Sequence, residues 1–273
     1  VQQRISDYTD EEQARWLRLV ERQLALIPNR ACHEFIDAIY GLTALDMRHG
    51  IPDFASVNAA LKAATNWQLV AVPGLLPDDV FFTHLANRRF PVTWWIRTPE
   101  QLDYLAEPDL FHDLFGHVPL LMNPVFADYM AAYGRGGVKA HAIGPEALAN
   151  LTRLYWYTVE FGLIREADGL RIYGAGILSS KGESIHGLDS AAPNRIGFDL
   201  ERIMRTRYRI DSYQKTYFVI DSYEQLMDAT RPDFAPIYAR LGAQDPVPAG
   251  AVLDTDAVFN RGTGEGWPTD ADV

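Results

Sequence analysis

The stretch "EPDLFHDLFGHVPLL", residues 107–121, places two histidines five residues apart in an apolar run. On an ideal α-helix, His112 and His117 would point about 140° apart. Both imidazoles can therefore face one ion only if the helix ends or bends between them, and Gly116 with Pro119 favours such an end. Imidazole is the commonest transition-metal ligand in proteins, so the pair suggests a metal site. A third ligand is needed to decide.

The composition is that of a folded globular protein. The chain has 273 residues, of which 48% are hydrophobic and 22% charged, and it contains neither a repeat nor a low-complexity linker. We expect a single catalytic domain over residues 1–273. Residues from about 243 to 273, rich in Pro, Gly and Asp, are expected to form an extended tail.

Charge and cysteine content exclude several classes of protein. A net charge of −11 argues against general affinity for nucleic acid or an anionic membrane. The arginines of "RIMRTRYR", residues 202–209, have acidic neighbours in the sequence, which favours a solvated helix face. Cys32 is the single cysteine, so an intrachain disulfide is excluded and a cytoplasmic protein is expected. A membrane helix is not expected either, because uncharged apolar runs of about 18 residues are absent.

Hydrophobic periodicity predicts a mainly α-helical fold with a few short β-strands (α+β). A capping box at Thr9 and Glu12 precedes the first helical pattern. Helices are predicted over residues 10–27, 31–45, 54–66, 99–115, 123–135, 145–169, 196–209 and 233–242, and a strand leading into a helix over 215–231. Strands and turns are predicted over residues 67–79, 88–97 and 170–180.

The best candidate for a third metal ligand is Glu160, in "LTRLYWYTVEFGLIR". Its neighbours at helical spacing are all aromatic or aliphatic: Trp156, Tyr157, Leu163 and Ile164. An ionised carboxylate there requires a raised pKa, a basic partner or a metal. Two histidines and one carboxylate form the facial triad of mononuclear Fe(II) enzymes.

Other metal chemistries stay open at this point. A catalytic zinc in a hydrolase could use the same three ligands, and a binding protein could hold a structural metal. "ESIH", Glu183 to His186, and "DLFH", Asp109 to His112, suggest a di-iron site. That site needs long facing helices, and residues 179–194 are too rich in Gly, Ser and Pro for one.

Three motifs in order carry a resemblance to a known family. "EPDLFHDLFGHVPLL", "LYWYTVEFGL" and "YGAGILSSKGES" resemble the pterin-dependent aromatic amino acid hydroxylases, and the similarity extends from about residue 51 to 235. The resemblance implies that His112, His117 and Glu160 bind Fe(II), and that tetrahydropterin and O2 are the other cofactor and co-substrate. We expect hydroxylation of L-phenylalanine to L-tyrosine, with tryptophan or tyrosine hydroxylation as the alternative.

The resemblance also implies roles for residues around the iron. Those expected to bind the pterin are Gly74, Leu76, Asp78, Phe81, Asp113 and Tyr155, with Phe81 stacking on the pterin ring. Those expected to bind the amino acid are Arg97, Tyr104, Asp109, Trp156, Phe161, Gly176 and Ser179. Arg97 would pair with the substrate carboxylate, Asp109 would orient Arg97, and Ser179 would also steady His112.

Some positions depart from the family pattern. Leu105 and Ala106 stand where animal members have Thr and Pro, and Pro91 replaces a His near the pterin. The sequence lacks the regulatory domain and tetramerisation helix of the animal enzymes, so a monomer is expected.

Overall fold

The architecture is mainly helical, as the sequence predicts, and the computed structural model describes residues 2–41, 47–103, 105 and 107–268. The α-helices are α1 (Asp10–Leu26), α2 (His33–Gly41), α3 (Phe54–Thr65), α4 (Asp78–Ala86), α5 (Pro124–Ile143), α6 (Pro145–Tyr155), α7 (Ala175–Leu178), α8 (Lys181–Asp189), α9 (Leu200–Arg205), α10 (Tyr223–Ala229) and α11 (Ala235–Leu241). Two π-helices span His112–His117 and Trp156–Glu160. Short 3₁₀ turns span Ile5–Asp7, Met47–His49, Pro99–Gln101 and Pro119–Met122.

The strands form a two-stranded and a five-stranded sheet. They are β1 (Gln68–Val72), β2 (Arg89–Thr93), β3 (Leu163–Glu166), β4 (Gly169–Ile172), β5 (Asn194–Gly197), β6 (Thr216–Ile220) and β7 (Val258–Asn260). β1 and β2 pair in parallel, and α4 connects them. The second sheet has the order β4-β3-β6-β5-β7.

The first helix forms as its sequence predicts. The Thr9 hydroxyl accepts from the Glu12 N–H at 3.2 Å, and Glu12 Oε2 accepts from the Thr9 N–H at 2.8 Å. This capping box satisfies two N–H groups at the end of the helix. α1 then buries Trp16, Leu19 and Val20 in the core.

The predicted helix over residues 99–115 is wrong as one continuous element. It begins as a 3₁₀ turn at Pro99–Gln101, and helical structure resumes just before His112. Pro108 cannot continue an α-helix. Asp109 then caps the new helical segment, since its Oδ1 accepts from the His112 N–H at 3.0 Å.

The predicted helix over residues 145–169 is too long. α6 ends at Tyr155, and the second π-helix continues it as far as Glu160. β3 and β4 follow as a hairpin. Gly169, at the start of β4, has a φ of +135°, a conformation that side chains rarely adopt. The predicted second helix over residues 31–45 is described only as α2, since residues 42–46 lie outside the described residues.

Two further predictions need correction. Part of the predicted strand and turn region over residues 67–79 is the first turn of α4, whose opening acids are favourable at a helix N-terminus. Of the predicted helix over residues 196–209, α9 is the helical part and β5 precedes it. In the Gly- and Ser-rich segment, α8 is only nine residues long, so that segment does not form the long helix that a di-iron bundle needs.

The predicted solvated arginine face is also wrong, because Arg202 is buried in the structure. Its Nε lies 3.0 Å from Asp256 Oδ1, and both side chains are at most 5% exposed. Asp256 belongs to the segment expected to be an extended tail. That segment therefore packs against the rest of the chain, and its strand β7 pairs with β5.

α5 lies in the core, where it packs closely on α4. Gly134 and Gly137 allow this approach, because a Cβ atom at either position would collide with α4. Among the described residues, no helix is long and apolar enough to cross a membrane.

Candidate metal centre

The two histidines of the opening stretch face each other because their segment is a π-helix. Their Nε2 atoms are 3.1 Å apart. In a π-helix the backbone bonds join residues five apart, so residue i+5 returns close to residue i. The helix does not end between His112 and His117, which corrects the sequence expectation. Gly116 instead permits close packing, because a Cβ there would lie 2.8 Å from the Ala175 carbonyl oxygen.

Glu160 completes the cluster from the second π-helix. Its Oε1 lies 3.1 Å from His117 Nε2, and its Oε2 lies 3.5 Å from His112 Nε2. The side chains of His112, His117 and Glu160 are 14%, 4% and 14% exposed. The π-helical turn is closed by the Phe161 N–H, which donates to the Trp156 carbonyl at 2.8 Å. Three ligand atoms from three side chains thus converge in a largely buried place.

The tautomer of His112 follows from its neighbour. The Ser179 hydroxyl donates to the Ala175 carbonyl at 2.8 Å, so its proton is committed there. Ser179 Oγ must then accept from His112 Nδ1, 2.9 Å away. With its proton on Nδ1, a neutral His112 presents a bare Nε2 lone pair to the cluster.

The electrostatics of the cluster keep the Glu160 carboxylate ionised beside the two imidazoles. Burial lowers the pKa of His112 to about 4, so the ring is neutral near pH 7. For His117, burial also lowers the pKa, but the charge and hydrogen bond of Glu160 outweigh burial and raise it overall. Burial alone would raise the pKa of Glu160, yet the charge and hydrogen bond of His117, with a smaller contribution from His112, hold it below its usual range. Glu160 is therefore an ionised carboxylate.

Asp113 is a rival third ligand. It lies in the same group, where one ligand atom from each of His112, Asp113 and His117 falls within 4.8 Å of the others. However, Asp113 Oδ2 already accepts from the Thr93 N–H at 2.7 Å. Burial raises the pKa of Asp113 to about 7, which makes it a weaker anion than Glu160. Glu160 instead contacts both Nε2 atoms, at 3.1 and 3.5 Å, which favours Glu160 as the third ligand.

The donor set fits a divalent first-row metal. Two imidazole nitrogens and one carboxylate leave further coordination positions open, as the facial triad of non-haem Fe(II) sites does. The thiol of Cys32 is buried against Tyr223 and contributes no ligand here. Glu183 and His186, the possible di-iron motif, contact Gln214 instead.

Aromatic rings line the expected pterin side of the cluster. Phe81 on α4 meets Tyr155 edge to face at 5.9 Å, and the Tyr155 and His117 rings are stacked at 6.4 Å. Gly74, Leu76 and Asp78 lie in the loop before α4 and in its first turn, and they are half-buried or exposed. A flat heteroaromatic ligand requires such aromatic faces with polar groups nearby.

Arg97 and Asp109 form a buried pair beside His112. Arg97 Nε and Nη2 donate to the two Asp109 oxygens at 2.9 and 2.8 Å, and the backbone N–H of Arg97 adds a bond at 2.9 Å. The arginine hydrogen bonds, its charge and two backbone N–H groups outweigh burial and hold the pKa of Asp109 below its usual range. Because Asp109 uses Nε–H and one N–H of Nη2, a substrate carboxylate would have to bind at Nη1 and the second N–H of Nη2.

Of the other predicted substrate residues, Trp156, Phe161 and Gly176 lie beside Glu160 or its turn, and Tyr104 is outside the described residues. The Trp156 and Phe161 rings are 4.6 Å apart. A Cβ at Gly176 would lie 2.8 Å from the Phe161 ring and 3.1 Å from the Glu160 carbonyl oxygen. This aromatic wall is therefore in direct contact with the turn that carries Glu160.

Two neighbours of the cluster were missed in the sequence. Phe90 on β2 packs on His117 with ring centroids 4.9 Å apart. Gln214 accepts from the Trp156 indole N–H at 2.9 Å. Of the positions that depart from the family pattern, Pro91 lies in β2 opposite Val70, and Ala106 is outside the described residues.

The comparisons with known proteins agree with this geometry. Residues 3–240 match the biopterin-dependent aromatic amino acid hydroxylases. The phenylalanine-4-hydroxylase of Ralstonia nicotianae is 64% identical over 274 residues, covering 100% of this chain and 86% of that protein. The phenylalanine-4-hydroxylase of Chromobacterium violaceum is 63% identical over 272 residues, covering 99% of this chain and 90% of that protein.

Solved structures are similar to the same degree. A structure of C. violaceum phenylalanine hydroxylase bound to cobalt has a TM-score of 0.91 and 63% identity, covering 95% of this chain and 92% of that one. A structure of the same enzyme with iron(III) and oxidised 7,8-dihydrobiopterin has a TM-score of 0.89 and 62% identity, covering 95% and 92%. The chain belongs to the biopterin-dependent aromatic amino acid hydroxylase family. The family and fold class predicted from the sequence are therefore confirmed.

Proposed function

We propose that this chain is a phenylalanine 4-monooxygenase that uses Fe(II), a tetrahydropterin and O2 to convert L-phenylalanine into L-tyrosine. The observation that carries the proposal is the convergence of His112, His117 and Glu160 within a family of biopterin-dependent hydroxylases. Full-length relatives at 64% and 63% identity carry the name phenylalanine-4-hydroxylase.

Each part of the site has a role in this reaction. The two imidazoles and the carboxylate would hold the metal through Nε2, Nε2 and the Glu160 oxygens. When bound, iron would activate O2, and the reduced pterin would supply the two electrons that reduce the second oxygen atom to the level of water. The related C. violaceum structures contain cobalt, iron(III) or 7,8-dihydrobiopterin, as their names state.

The protein's own residues orient the reactants and exclude water. Phe81 and Tyr155 offer ring faces to the pterin, and Asp113 lies close enough to the histidines to accept a polar contact from it. Arg97, held by Asp109, would bind the substrate carboxylate through Nη1 and the remaining N–H of Nη2. Trp156 and Phe161 would hold the substrate ring beside Glu160.

The direct test is turnover by the iron-loaded protein with a reduced pterin and O2. We expect tyrosine from L-phenylalanine at a higher kcat/KM than any hydroxylation of tryptophan or tyrosine. Preference for tryptophan or tyrosine would reassign the substrate within the family. Hydrolytic activity with zinc, and none of the hydroxylations with iron, would reject the proposal.

That the protein is monomeric and cytoplasmic stays our prediction. Light scattering on the purified chain checks the monomeric state.

A further inference from the structure

Trp156 is held on three sides at the aromatic wall of the site. Its indole N–H donates to Gln214 Oε1 at 2.9 Å. The Tyr208 ring stacks on it at 4.3 Å with planes 16° apart, and the Phe161 ring lies at 4.6 Å. Stacking fixes the plane of an indole but not which neighbour the N–H edge of the ring points toward. The hydrogen bond to Gln214 fixes that orientation.

Gln214 can play this part because its own amide is fixed. The side chain is buried, and its Nε2 donates to the Arg209 carbonyl at 2.9 Å. That bond commits the amide nitrogen, so the amide oxygen is the atom that faces the indole. An amide free to flip would present a donor to a donor.

Glu183 and His186 on α8 hold the backbone of Gln214 in turn. The Gln214 N–H donates to Glu183 Oε1 at 3.1 Å, and the Gln214 carbonyl lies 3.2 Å from His186 Nε2. Glu183 is buried and also accepts from the Tyr217 hydroxyl. Both backbone groups of Gln214 are therefore satisfied from one helix, so the residue is anchored rather than carried on a loose loop.

Trp156, whose indole makes this hydrogen bond, belongs to the same π-helix as the proposed metal ligand Glu160. Trp156 begins the π-helix that ends at Glu160, and the Phe161 N–H returns to the Trp156 carbonyl at 2.8 Å. The Phe161 ring in turn fills the space over Gly176. A rotated indole would therefore displace the surface against which a substrate ring lies.

We propose that Gln214 is a positioning residue for the hydroxylation, acting by fixing the indole of Trp156 at the wall of the substrate pocket. This inference rests on the proposed function, because it assumes that the amino acid ring lies against Trp156. Gln214 is not a metal ligand, and its effect passes through one hydrogen bond. Binding of the amino acid should depend on it more strongly than binding of the pterin.

The first experiment measures the hydrogen bond itself and does not require activity. In a ¹H–¹⁵N spectrum, the Trp156 indole signal is the one lost in Trp156→Phe. We expect its N–H to exchange slowly in the wild type and much faster in Gln214→Met, a replacement of similar volume that lacks the acceptor. Gln225→Met is the matched control. Gln225 lies on α10 and its side chain accepts from the Asp221 N–H, so this variant should leave the Trp156 signal unchanged. Unchanged exchange in Gln214→Met would overturn the inference.

The second experiment is a double-mutant cycle on the iron-loaded enzyme. Gln214→Met should raise the KM for L-phenylalanine about fivefold to tenfold, the size expected for one hydrogen bond, with kcat and the KM for pterin changed less than about twofold. In a Trp156→Phe background, Gln214→Met should add less than about twofold, because the bond is already absent. An equal loss in both backgrounds would mean that Gln214 acts only as structural support.

The cycle also remains decisive if Gln214→Met folds poorly. Trp156→Phe removes the same bond from the other side and leaves the bonds of Gln214 to Arg209 and Glu183 in place. An unchanged KM for L-phenylalanine in Trp156→Phe would contradict the inference. A wild-type protein that does not hydroxylate phenylalanine would instead refute the proposed function, while the exchange experiment still reports on the hydrogen bond.

Discussion

The Nε2 atoms of His112 and His117 lie 3.1 Å apart, although five residues separate the two histidines. A π-helix brings them together, and a second π-helix supplies Glu160. π-helical turns are rare and occur frequently at functional sites. Within the part of the chain that the structure describes, the two π-helices carry the side chains that converge on the proposed metal.

Removing the Ser179 hydroxyl should weaken metal binding without unfolding the protein. Ser179 accepts from His112 Nδ1 and so fixes the tautomer that exposes Nε2. Loss of such a partner typically costs about 10–100-fold in metal affinity. We expect that loss for Ser179→Ala in an Fe(II) competition titration. Ser184→Ala, which removes a buried hydroxyl bonded to Ile177 and Ser180, is the control and should bind iron normally.

Replacing Arg97 should affect both stability and substrate binding. Arg97→Ala leaves the fully buried Asp109 without its bidentate partner. Removing one member of a buried ion pair costs roughly 3–5 kcal/mol in the free energy of unfolding. Urea denaturation should show that loss, and the KM for L-phenylalanine should rise strongly while the KM for pterin changes little.

The control for Arg97 is an exposed ion pair. Arg231→Ala breaks a pair with Asp228 whose side chains are 70% and 67% exposed. The free energy of unfolding should change by less than about 1 kcal/mol. An Arg97→Ala protein with an unchanged KM for L-phenylalanine would remove Arg97 from the substrate site.

Glu183 should make stability depend on pH in a direction opposite to that of an ordinary paired carboxylate. Burial raises its pKa to about 7, despite the hydrogen bonds from Tyr217 and Gln214 that lower it. The folded state therefore binds this proton more tightly than the unfolded state, whose glutamates titrate near about 4.3. The free energy of unfolding that the protonated group contributes is therefore lost as the pH rises from about 4.3 through about 7.

Glu183→Gln isolates that contribution, because it keeps an acceptor oxygen and cannot ionise. The difference in free energy of unfolding between variant and wild type should grow in favour of the variant from pH 4.5 to 8, by about 1–3 kcal/mol. A constant difference for Glu183→Gln would show that this carboxyl titrates normally.

The three proposed metal ligands are predicted from local sequence, whereas the pterin and substrate residues are predicted only from the family resemblance. Glu160 was identified because apolar residues occupy every helical neighbour position, and burial of a lone carboxylate there requires a partner. α4 was missed although Asp78 and Asp79 mark its start, since its aromatic residues resemble a strand. The local pattern thus predicts the types of residue that form the proposed metal site, but it predicts only some of the helices and strands around it.

The remaining features depend on contacts between distant parts of the chain. A five-residue spacing predicts a helix break if only α-helices are considered, so the π-helix could not be derived from it. Gln214 meets Trp156 across 58 residues of sequence, and Arg202 meets Asp256 across 54. Tertiary packing determines such pairs, and in a single sequence neither residue of a pair indicates which residue its partner is.

The most direct test of the central claim is the iron content of two neutral, isosteric variants prepared side by side. Glu160→Gln and Asp113→Asn each remove one carboxylate charge beside the same two histidines. We predict about one iron per chain in the wild type and in Asp113→Asn, and little iron and no tyrosine formation in Glu160→Gln. Retention of iron by Glu160→Gln together with its loss from Asp113→Asn would contradict the assignment of His112, His117 and Glu160 as the metal ligands.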